Sequence, residues 1–334
     1  MRKRYPEIIA AFPKTSVAVL GDFMLDEFVM GEISRVSREA PVLILRYIDS
    51  QFCAGGAANT VANAAALGAT VFPVGLLGND EWAGQLMSLW PKNVSRKGVI
   101  QDNQVRTTKK ARILAGAFHS TRQQVVRMDY EHDLELTGEQ EQEIIRRLRD
   151  ILPSVQALII SDYSLGNLNR NTRREAIQLA RKFSVPVVVD SRDNSACYPG
   201  ATAVTPNISE VEAALGVRIG SDLDKVKKIC SPLLEKWDVE NLVITMGKLG
   251  ISLIGKDRFT HIPAWGDDAA VDVSGAGDTV VSTYTCALAA GADIFEAATL
   301  ANIAGGLVVM KKGTSTVSPE ELEESLTRIS HGLA

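Results

Sequence analysis

Cysteine is scarce: there are four in 334 residues, Cys53, Cys197, Cys230 and Cys286, far apart and with no Cys-x-x-Cys pair. That excludes a dense disulfide framework and a cysteine zinc site, and it fits a reducing cytosol. Histidine is equally sparse, and His119, His132, His261 and His331 show no metal-ligand spacing, which argues against a metallohydrolase. Each reads as an ordinary surface or core residue. No apolar run approaches the ~20 residues of a membrane span. The apolar stretch that follows Met1-Arg2-Lys3-Arg4 is cut by Pro13 and Lys14 before it reaches signal-peptide length. No excess of one charge exists either: 36 Lys and Arg against 40 Asp and Glu leave a net charge of -4, so nothing draws the chain to nucleic acid in bulk. A local cluster can still hold a small anion. Gly-x-x-x-x-Gly-Lys-Ser/Thr is missing, and no Gly-x-Gly-x-x-Gly follows the first strand, so a P-loop NTPase and an ordinary dinucleotide-binding protein are both unsupported. There is no internal repeat and no low-complexity linker.

What remains is an ordinary globular composition, 46% hydrophobic and 23% charged. A chain of this length buries roughly three-quarters of its unfolded surface and needs no staple to hold a core. The β-branched runs Ser16 to Leu20, Ala157 to Ile160, Val185 to Val189 and Leu242 to Thr245 predict buried strands, each followed by a polar or glycine-bearing turn and a helical pattern. Such alternation argues for a mainly parallel sheet with helices on both faces, with ligands at the carboxyl ends of the strands. Residues 137–150 open with Glu139, Glu141 and Glu143 and close with Arg146, Arg147 and Arg149, which suits a solvated helix without catalytic duty. Val42 to Tyr47, Val105 to Leu114 and Gln123 to Met128 instead alternate polar and apolar residues. They predict a small β-lobe over the site. A one-sided sheet exposes an apolar face unless it closes on ligand or on a second copy, so the lobe is expected to mediate a homodimer.

Four segments carry residues suited to chemistry. Asp272-Val273-Ser274-Gly275-Ala276-Gly277-Asp278-Thr279 precedes an apolar helical stretch, Val280 to Ala290. Small residues before a helix leave backbone N–H groups open to an anion, and a first-turn Asp278 is placed to take a proton from an attacking hydroxyl. A glycine-rich turn whose Asp merely caps the helix has the same pattern. Gly55-Gly56-Ala57-Ala58-Asn59 opens a second small-residue helix, where Asn59 offers a donor and an acceptor to a polyol, although tight helix packing also favours such glycines. Gly21-Asp22-Phe23-Met24-Leu25-Asp26 places two carboxylates after the first strand, as sugar ligands or as turn residues. In Thr205-Pro206-Asn207-Ile208-Ser209-Glu210, Asn207 and Glu210 share a helix face, either to hold Mg2+ directly or through its waters or to form a capping box.

Taken together and in order, these segments resemble the ribokinase-like, or PfkB, carbohydrate kinase family. Residues 272–278 resemble its Asp-Thr-x-Gly-Ala-Gly-Asp motif, with Val273 where Thr is usual. Gly55 to Asn59 resemble Gly-Gly-x-x-Asn, and Asn207 to Glu210 resemble the Asn-x-x-Glu magnesium motif. With Ser37-Arg38-Glu39-Ala40-Pro41-Val42, Ser161-Asp162-Tyr163 and Gly313-Thr314-Ser315-Thr316-Val317-Ser318-Pro319, the chain is similar throughout to the D-glycero-β-D-manno-heptose-7-phosphate kinase domain, which phosphorylates an anomeric hydroxyl on the way to ADP-heptose and lipopolysaccharide.

The resemblance implies an α/β, ribokinase-like three-layer αβα fold with a mainly parallel sheet and a small β-lobe as lid: a single kinase domain over residues 1–334, the lid from about 27–48 and 103–130. It implies an ATP- and Mg2+-dependent cytoplasmic phosphotransferase, with a monovalent cation left open. Asp278 would be the base, and the amides of Gly275, Ala276 and Gly277 the anion hole. Asp26, Gly55, Gly56 and Asn59 would hold the sugar. Asn207 and Glu210 would organise Mg2+ and the ATP phosphates, with Arg192, Thr245, Gly247 and Gly250 beside the nucleotide and Asn302 near the adenine. The chain stops at Ala334 without the adenylyltransferase often fused to this kinase, so a separate adenylyltransferase is expected.

Three departures bear on substrate. The family's Ser-Asp-Tyr-x-Lys-Gly is Ser161-Asp162-Tyr163-Ser164-Leu165-Gly166, which loses a cation at Leu165. Its Asp-Pro-Lys-Gly is Asp190-Ser191-Arg192-Asp193, which keeps one at Arg192, and Arg38 replaces a proline. Lys109, Lys110, Arg112 and Arg127 are the lobe's candidates for the substrate phosphate, or else solvated strand residues. A kinase for fructose, ribose or a nucleoside is the alternative, and a silent sugar- or nucleotide-binding regulator a further one.

Overall fold

A computed structural model describes residues 4–116, 123–132, 135–193, 195–256, 258–266 and 270–330. The amino-terminal half runs α1 (Tyr5–Ala11), β1 (Ser16–Gly21), β2 (Phe23–Val36), β3 (Leu43–Gly56), α2 (Ala57–Ala66), β4 (Thr70–Gly78), α3 (Glu81–Ser88), β5 (Val99–Asp102), β6 (Thr108–Gly116), β7 (Gln123–Tyr130) and α4 (Gly138–Ile151). Then come β8 (Ala157–Asp162), α5 (Arg170–Lys182), β9 (Val187–Ser191), β10 (Ala203–Val204), α6 (Ile208–Leu215), α7 (Leu223–Cys230) and α8 (Leu233–Trp237). The chain closes with β11 (Asn241–Thr245), β12 (Ile251–Gly255), β13 (Arg258–Ile262), α9 (Ala276–Ala289), α10 (Ile294–Val308) and α11 (Pro319–Ser330).

Nine strands form the main sheet in the order β13-β12-β11-β10-β9-β8-β1-β4-β5, parallel from β11 to β5 and antiparallel only at the β12–β13 edge. Alternation along β1 explains the layers, since period-2 side chains point to opposite faces. Val17 and Val19 join one core with α1, α2, α3, α9, α10 and α11, whereas Ala18 and Leu20 join the other with α4 to α8. The three-layer expectation holds, and the sequence-predicted strands lie within two residues of their observed limits.

A second sheet, β3-β2-β6-β7, covers the carboxyl ends of the main strands. Its central pair β2–β6 is parallel and its outer pairs antiparallel. These strands are longer than the alternating windows suggested. β2 leaves β1 after the single residue Asp22, so Asp26 rides three residues along a lobe strand rather than at the end of β1. β3 likewise runs to Gly56 and delivers the chain directly into α2. Val105 to Thr107 precede β6 instead of belonging to it. The part of the expected lobe at 117–122, with His119, lies outside the described residues, as does His331. The expected solvated helix over 137–150 is α4. Thr137 and Gln140 form its capping box, and Ile144, Ile145, Leu148 and Ile151 bury its apolar side.

Candidate active site

The site forms where α2 and α9 start side by side. Alanines along α2 let the two helices approach, and polar contacts register them, among them Ser282 Oγ donating to the Thr60 carbonyl (3.0 Å), Thr279 Oγ1 to Asn63 Oδ1 (2.7 Å), and Asn59 Nδ2 to Asp278 Oδ2 (2.7 Å). Each helix starts from a glycine in the left-handed region, Gly56 at φ 54° and Gly275 at φ 77°. A Cβ on Gly275 would lie 2.6 Å from Asn59 Nδ2, so glycine is needed there for both conformation and space.

Asp278 is 4% exposed, in the first turn of α9. Besides Asn59, Thr60 Oγ1 (2.8 Å) and the Tyr163 hydroxyl (3.0 Å) donate to its Oδ1. Burial pushes its carboxyl up to about 6, against the pull of these three donors and with a further push from the Asp26 charge. A buried carboxylate that is ionised at neutral pH yet readily protonated suits general-base work. Its neighbour Asp190, at the end of β9, accepts from Thr205 Oγ1 at 3.0 Å. Loss of solvation, then the Asp278 and Glu210 charges, push Asp190 up to about 7.

First-turn amides of a helix lack internal acceptors and so face whatever lies ahead of the helix. That description covers Gly277, whereas the Ala276 N–H donates to the Val273 carbonyl at 3.3 Å. Asp272 shapes the approach by accepting from the amides of Ser274 (2.9 Å) and Gly313 (3.1 Å). Ala276 and Gly277 line a cavity of about 410 Å³ with Asn207, Thr245, Gly247, Gly250 and Asn302. Five of the sequence-predicted nucleotide residues therefore converge on one cavity. Its apolar wall includes Trp265, Val280 and Val309, and Lys248 lies at its edge. Asn302 donates to the Pro263 carbonyl at 2.7 Å and thereby fastens this wall. Gly306 lets α10 approach it: a Cβ there would lie 2.2 Å from the Trp265 carbonyl oxygen.

Asn207 and Glu210 form the capping box that was the alternative to a metal role: Glu210 Oε2 accepts from the Asn207 amide (2.8 Å), and Asn207 Oδ1 from the Glu210 amide (2.9 Å). Glu210 Oε1 makes no hydrogen bond among the described residues. Burial raises the Glu210 carboxyl, with exposed Arg192 acting against the shift. Neither Arg192 nor Glu210 lines the 410 Å³ cavity. Among the described residues no group of three or more His, Cys, Asp and Glu side chains forms a metal site by itself.

On the lobe side, Asp26 is 5% exposed, with its Oδ1 2.8 Å from Arg112 Nη1. The contact is a charge pair rather than an aligned hydrogen bond. Arg112 was expected to meet a substrate phosphate, but here it neutralises Asp26. The other expected phosphate cations are likewise paired, Lys109 with Glu27 (2.8 Å), Lys110 with Glu131 (2.7 Å) and Arg127 with Asp129 (2.8 Å). Pairing between strands brings Lys109, Lys110 and Arg112 to their partners, whereas Arg127 and Asp129 are two residues apart on β7. Gly55 fits against Asp26, since a Cβ would lie 2.9 Å from its Cγ, and Gly56 fits against Met24 and the Asp22 carbonyl. Asp22, the other candidate sugar carboxylate, is occupied structurally: it accepts from the amides of Tyr163 (2.9 Å), Leu165 (3.1 Å) and Asn167 (3.1 Å). It holds the loop after β8 in place. Thr60, Tyr163 and Asp190 were not singled out from the sequence. Thr60 adjoins Asn59, Tyr163 lies in a quoted motif, and Asp190 ends a strand beside Arg192.

The sequence profile of the pfkB family carbohydrate kinases matches residues 14–321. The chain is similar to the Bifunctional protein HldE of Mesorhizobium japonicum, 38% identical over 326 residues that cover 97% of this chain and 64% of that protein. It is also similar to the protein of the same name from Pasteurella multocida, 39% identical over 319 residues, covering 95% of this chain and 64% of that one. The chain thus spans 64% of the length of these relatives. Among solved structures, Arabidopsis thaliana ribokinase complexed with ribose and ATP superposes with a TM-score of 0.72 at 17% identity, covering 93% of this chain and 98% of that one. Escherichia coli phosphofructokinase-2 in complex with potassium gives 0.74 at 17% identity, covering 95% and 99%. Those two likenesses speak for the fold, and the profile match, the identity to curated relatives and the helix-start aspartate together place the chain in the pfkB family of carbohydrate kinases.

Proposed function

We propose that the protein transfers the γ-phosphoryl group of ATP to the anomeric hydroxyl of D-glycero-D-manno-heptose 7-phosphate. The observation that carries this reading is the placement of Asp278, a buried carboxylate between the 410 Å³ cavity on one side and the Asp26 side of the lobe on the other. The heptose follows from the motif resemblance over the whole chain and is supported by the similarity to the HldE proteins.

In this reading ATP occupies the cavity, its phosphates directed at the first turn of α9. Asp278 takes the proton from the sugar hydroxyl as it attacks phosphorus. Asn59, Thr60 and Tyr163 fix the carboxylate's orientation, so rate comes from positioning and preorganised donors. Asp26 and the Gly55–Gly56 turn hold the sugar, and the lobe excludes water that would otherwise hydrolyse ATP. For Mg2+, an oxygen-rich pair in which the Glu210 charge adds to the burial that raises Asp190 fits a hard cation. Asp190 and Glu210 would hold it, directly or through water. Bound there, Mg2+ neutralises charge on the phosphoryl oxygens.

The reading also includes a homodimer through the lobe, whose strands expose Val36, Tyr47, Ile48, Val126 and Met128, an apolar face that a second copy would cover. It includes a cytoplasmic location and a separate adenylyltransferase that consumes the product. Among the described residues no helix is long and apolar enough to cross a membrane. The test is ADP release with ATP and Mg2+ against heptose 7-phosphate, fructose, fructose 6-phosphate, ribose and adenosine. Strong preference for the heptose phosphate supports the proposal, and preference for a neutral sugar overturns the substrate assignment.

A further inference from the structure

With Lys109, Lys110, Arg112 and Arg127 all paired to carboxylates, and Leu165 where a cation was expected, a phosphorylated sugar needs its charge met elsewhere. Arg106 differs from those four. Among the described residues no carboxylate pairs with it, and its guanidinium lies over the Trp82 ring, 5.0 Å from the centroid. Stacking of this kind orients the planar fork and leaves its N–H donors available. Together with His132 it lines a cavity of about 560 Å³, distinct from the one assigned to ATP.

The polar groups around that cavity favour an anion. Among the described residues two carboxylates lie in its wall, and both are spent on backbone. Asp80 accepts from the amides of Ala83 (2.9 Å) and Thr107 (2.8 Å), which hold its carboxyl below the ordinary range, and Asp22 accepts from three amides of the loop after β8. The same loop ties the cavity to the base: Leu165 lines the cavity, while two residues earlier the Tyr163 hydroxyl donates to Asp278. Thr108, also in the wall, pairs with Met24, two residues before Asp26 on β2. The cavity therefore adjoins the sugar side of Asp278, where the end of the sugar remote from the reacting hydroxyl would extend.

We propose that this cavity receives the substrate's own phosphate, with Arg106 as the specificity-determining cation. The proposal rests on the reading of the protein as a kinase for a sugar phosphate. Arg106 fulfils the task that Leu165, which lines the same cavity, cannot perform. A bidentate guanidinium–phosphate contact gives geometric selection as well as affinity.

The experiment is steady-state kinetics at saturating ATP for wild type, Arg106→Gln and Arg106→Lys, with heptose 7-phosphate and with unphosphorylated heptose. Arg106 is exposed on a loop, so the variants should melt with wild type, which a thermal scan checks. Arg106→Gln is expected to raise KM for heptose 7-phosphate roughly 10- to 100-fold, the usual scale for a lost charge-assisted contact. kcat should stay near wild type, kcat/KM for unphosphorylated heptose should not change, and Arg106→Lys should recover part of the loss. An unchanged KM for the phosphosugar, or an equal loss on both sugars, overturns the role of Arg106. Wild type that turns over only unphosphorylated sugars overturns the substrate reading itself, and this inference with it.

Discussion

Replacing Asp278 with Asn should abolish turnover and at the same time make the protein more stable at neutral pH. The structure supplies the magnitude. Burial raises this carboxyl from 3.8 to about 6, so the folded state resists the ionisation that the unfolded chain allows freely. A raised carboxyl costs the wild type stability as pH rises through this window, because the unfolded state releases its proton first. Two units correspond to roughly 3 kcal/mol in all, of which about 1.4 kcal/mol develops between pH 5 and pH 8. The Asn variant carries no such penalty, and removing the charge also relieves Asp190. The variant amide can keep its Oδ1 toward Asn59 Nδ2 and turn its Nδ2 to the Thr60 and Tyr163 hydroxyls, which accept as readily as they donate, so the local hydrogen bonds survive the substitution. Urea midpoints of both proteins at pH 5, 6, 7 and 8 measure the difference. The advantage of Asp278→Asn should grow with pH by at least about 1.4 kcal/mol across the series, the relief of Asp190 adding to it in the same window. A difference that stays flat would mean that the carboxylate is solvated in the folded protein, and its assignment as a desolvated base would fall. The same variant should bind nucleotide as wild type does, since the adenine end of the cavity is untouched.

Four further outcomes follow from the geometry. kcat/KM should fall below about pH 6 as Asp278 becomes protonated, and a pH–rate profile with no acid limb between pH 5 and 7 would remove it as the base. Gly275→Ala combines positive φ with a Cβ 2.6 Å from Asn59 Nδ2, so it should destabilise by about 1–3 kcal/mol and cut kcat by on the order of 10²-fold through displacement of Asn59. Gly306→Ala pushes against the Trp265 carbonyl, and kinetics should show KM for ATP raised well above that for the sugar. Met128→Glu places charge on the exposed lobe face, and under the proposed lobe dimer sedimentation should show wild type as a dimer and the variant as a monomer with the fold retained.

Much of the architecture could be read locally. β1, β8, β9 and β11 are short β-branched runs buried on both faces, and the starts of α2 and α9 are written in glycines and alanines. Both signals lie within a few residues of sequence. The site was legible as separate parts and not as an assembly. Asn59 was assigned to the sugar because an amide suits a polyol, but its Nδ2 donates to Asp278, 219 positions away. Nothing local encodes that meeting, which depends on how α2 packs against α9. The pairing of the lobe cations is hidden for a related reason: alternation identifies a strand but not its register, and register decides that Lys110 meets Glu131 and Arg112 meets Asp26. Asp190 was passed over because Arg192 beside it carried the expected charge, whereas the strand end turns Asp190 toward Asp278 and leaves Arg192 exposed.

The most direct test of the central claim is the ³¹P spectrum of a reaction containing the protein, ATP, Mg2+ and heptose 7-phosphate. The account predicts ADP together with a second sugar phosphate coupled to the anomeric proton, while the original 7-phosphate resonance persists at equal intensity. Inorganic phosphate as the only new species, or transfer to any other hydroxyl, would contradict it.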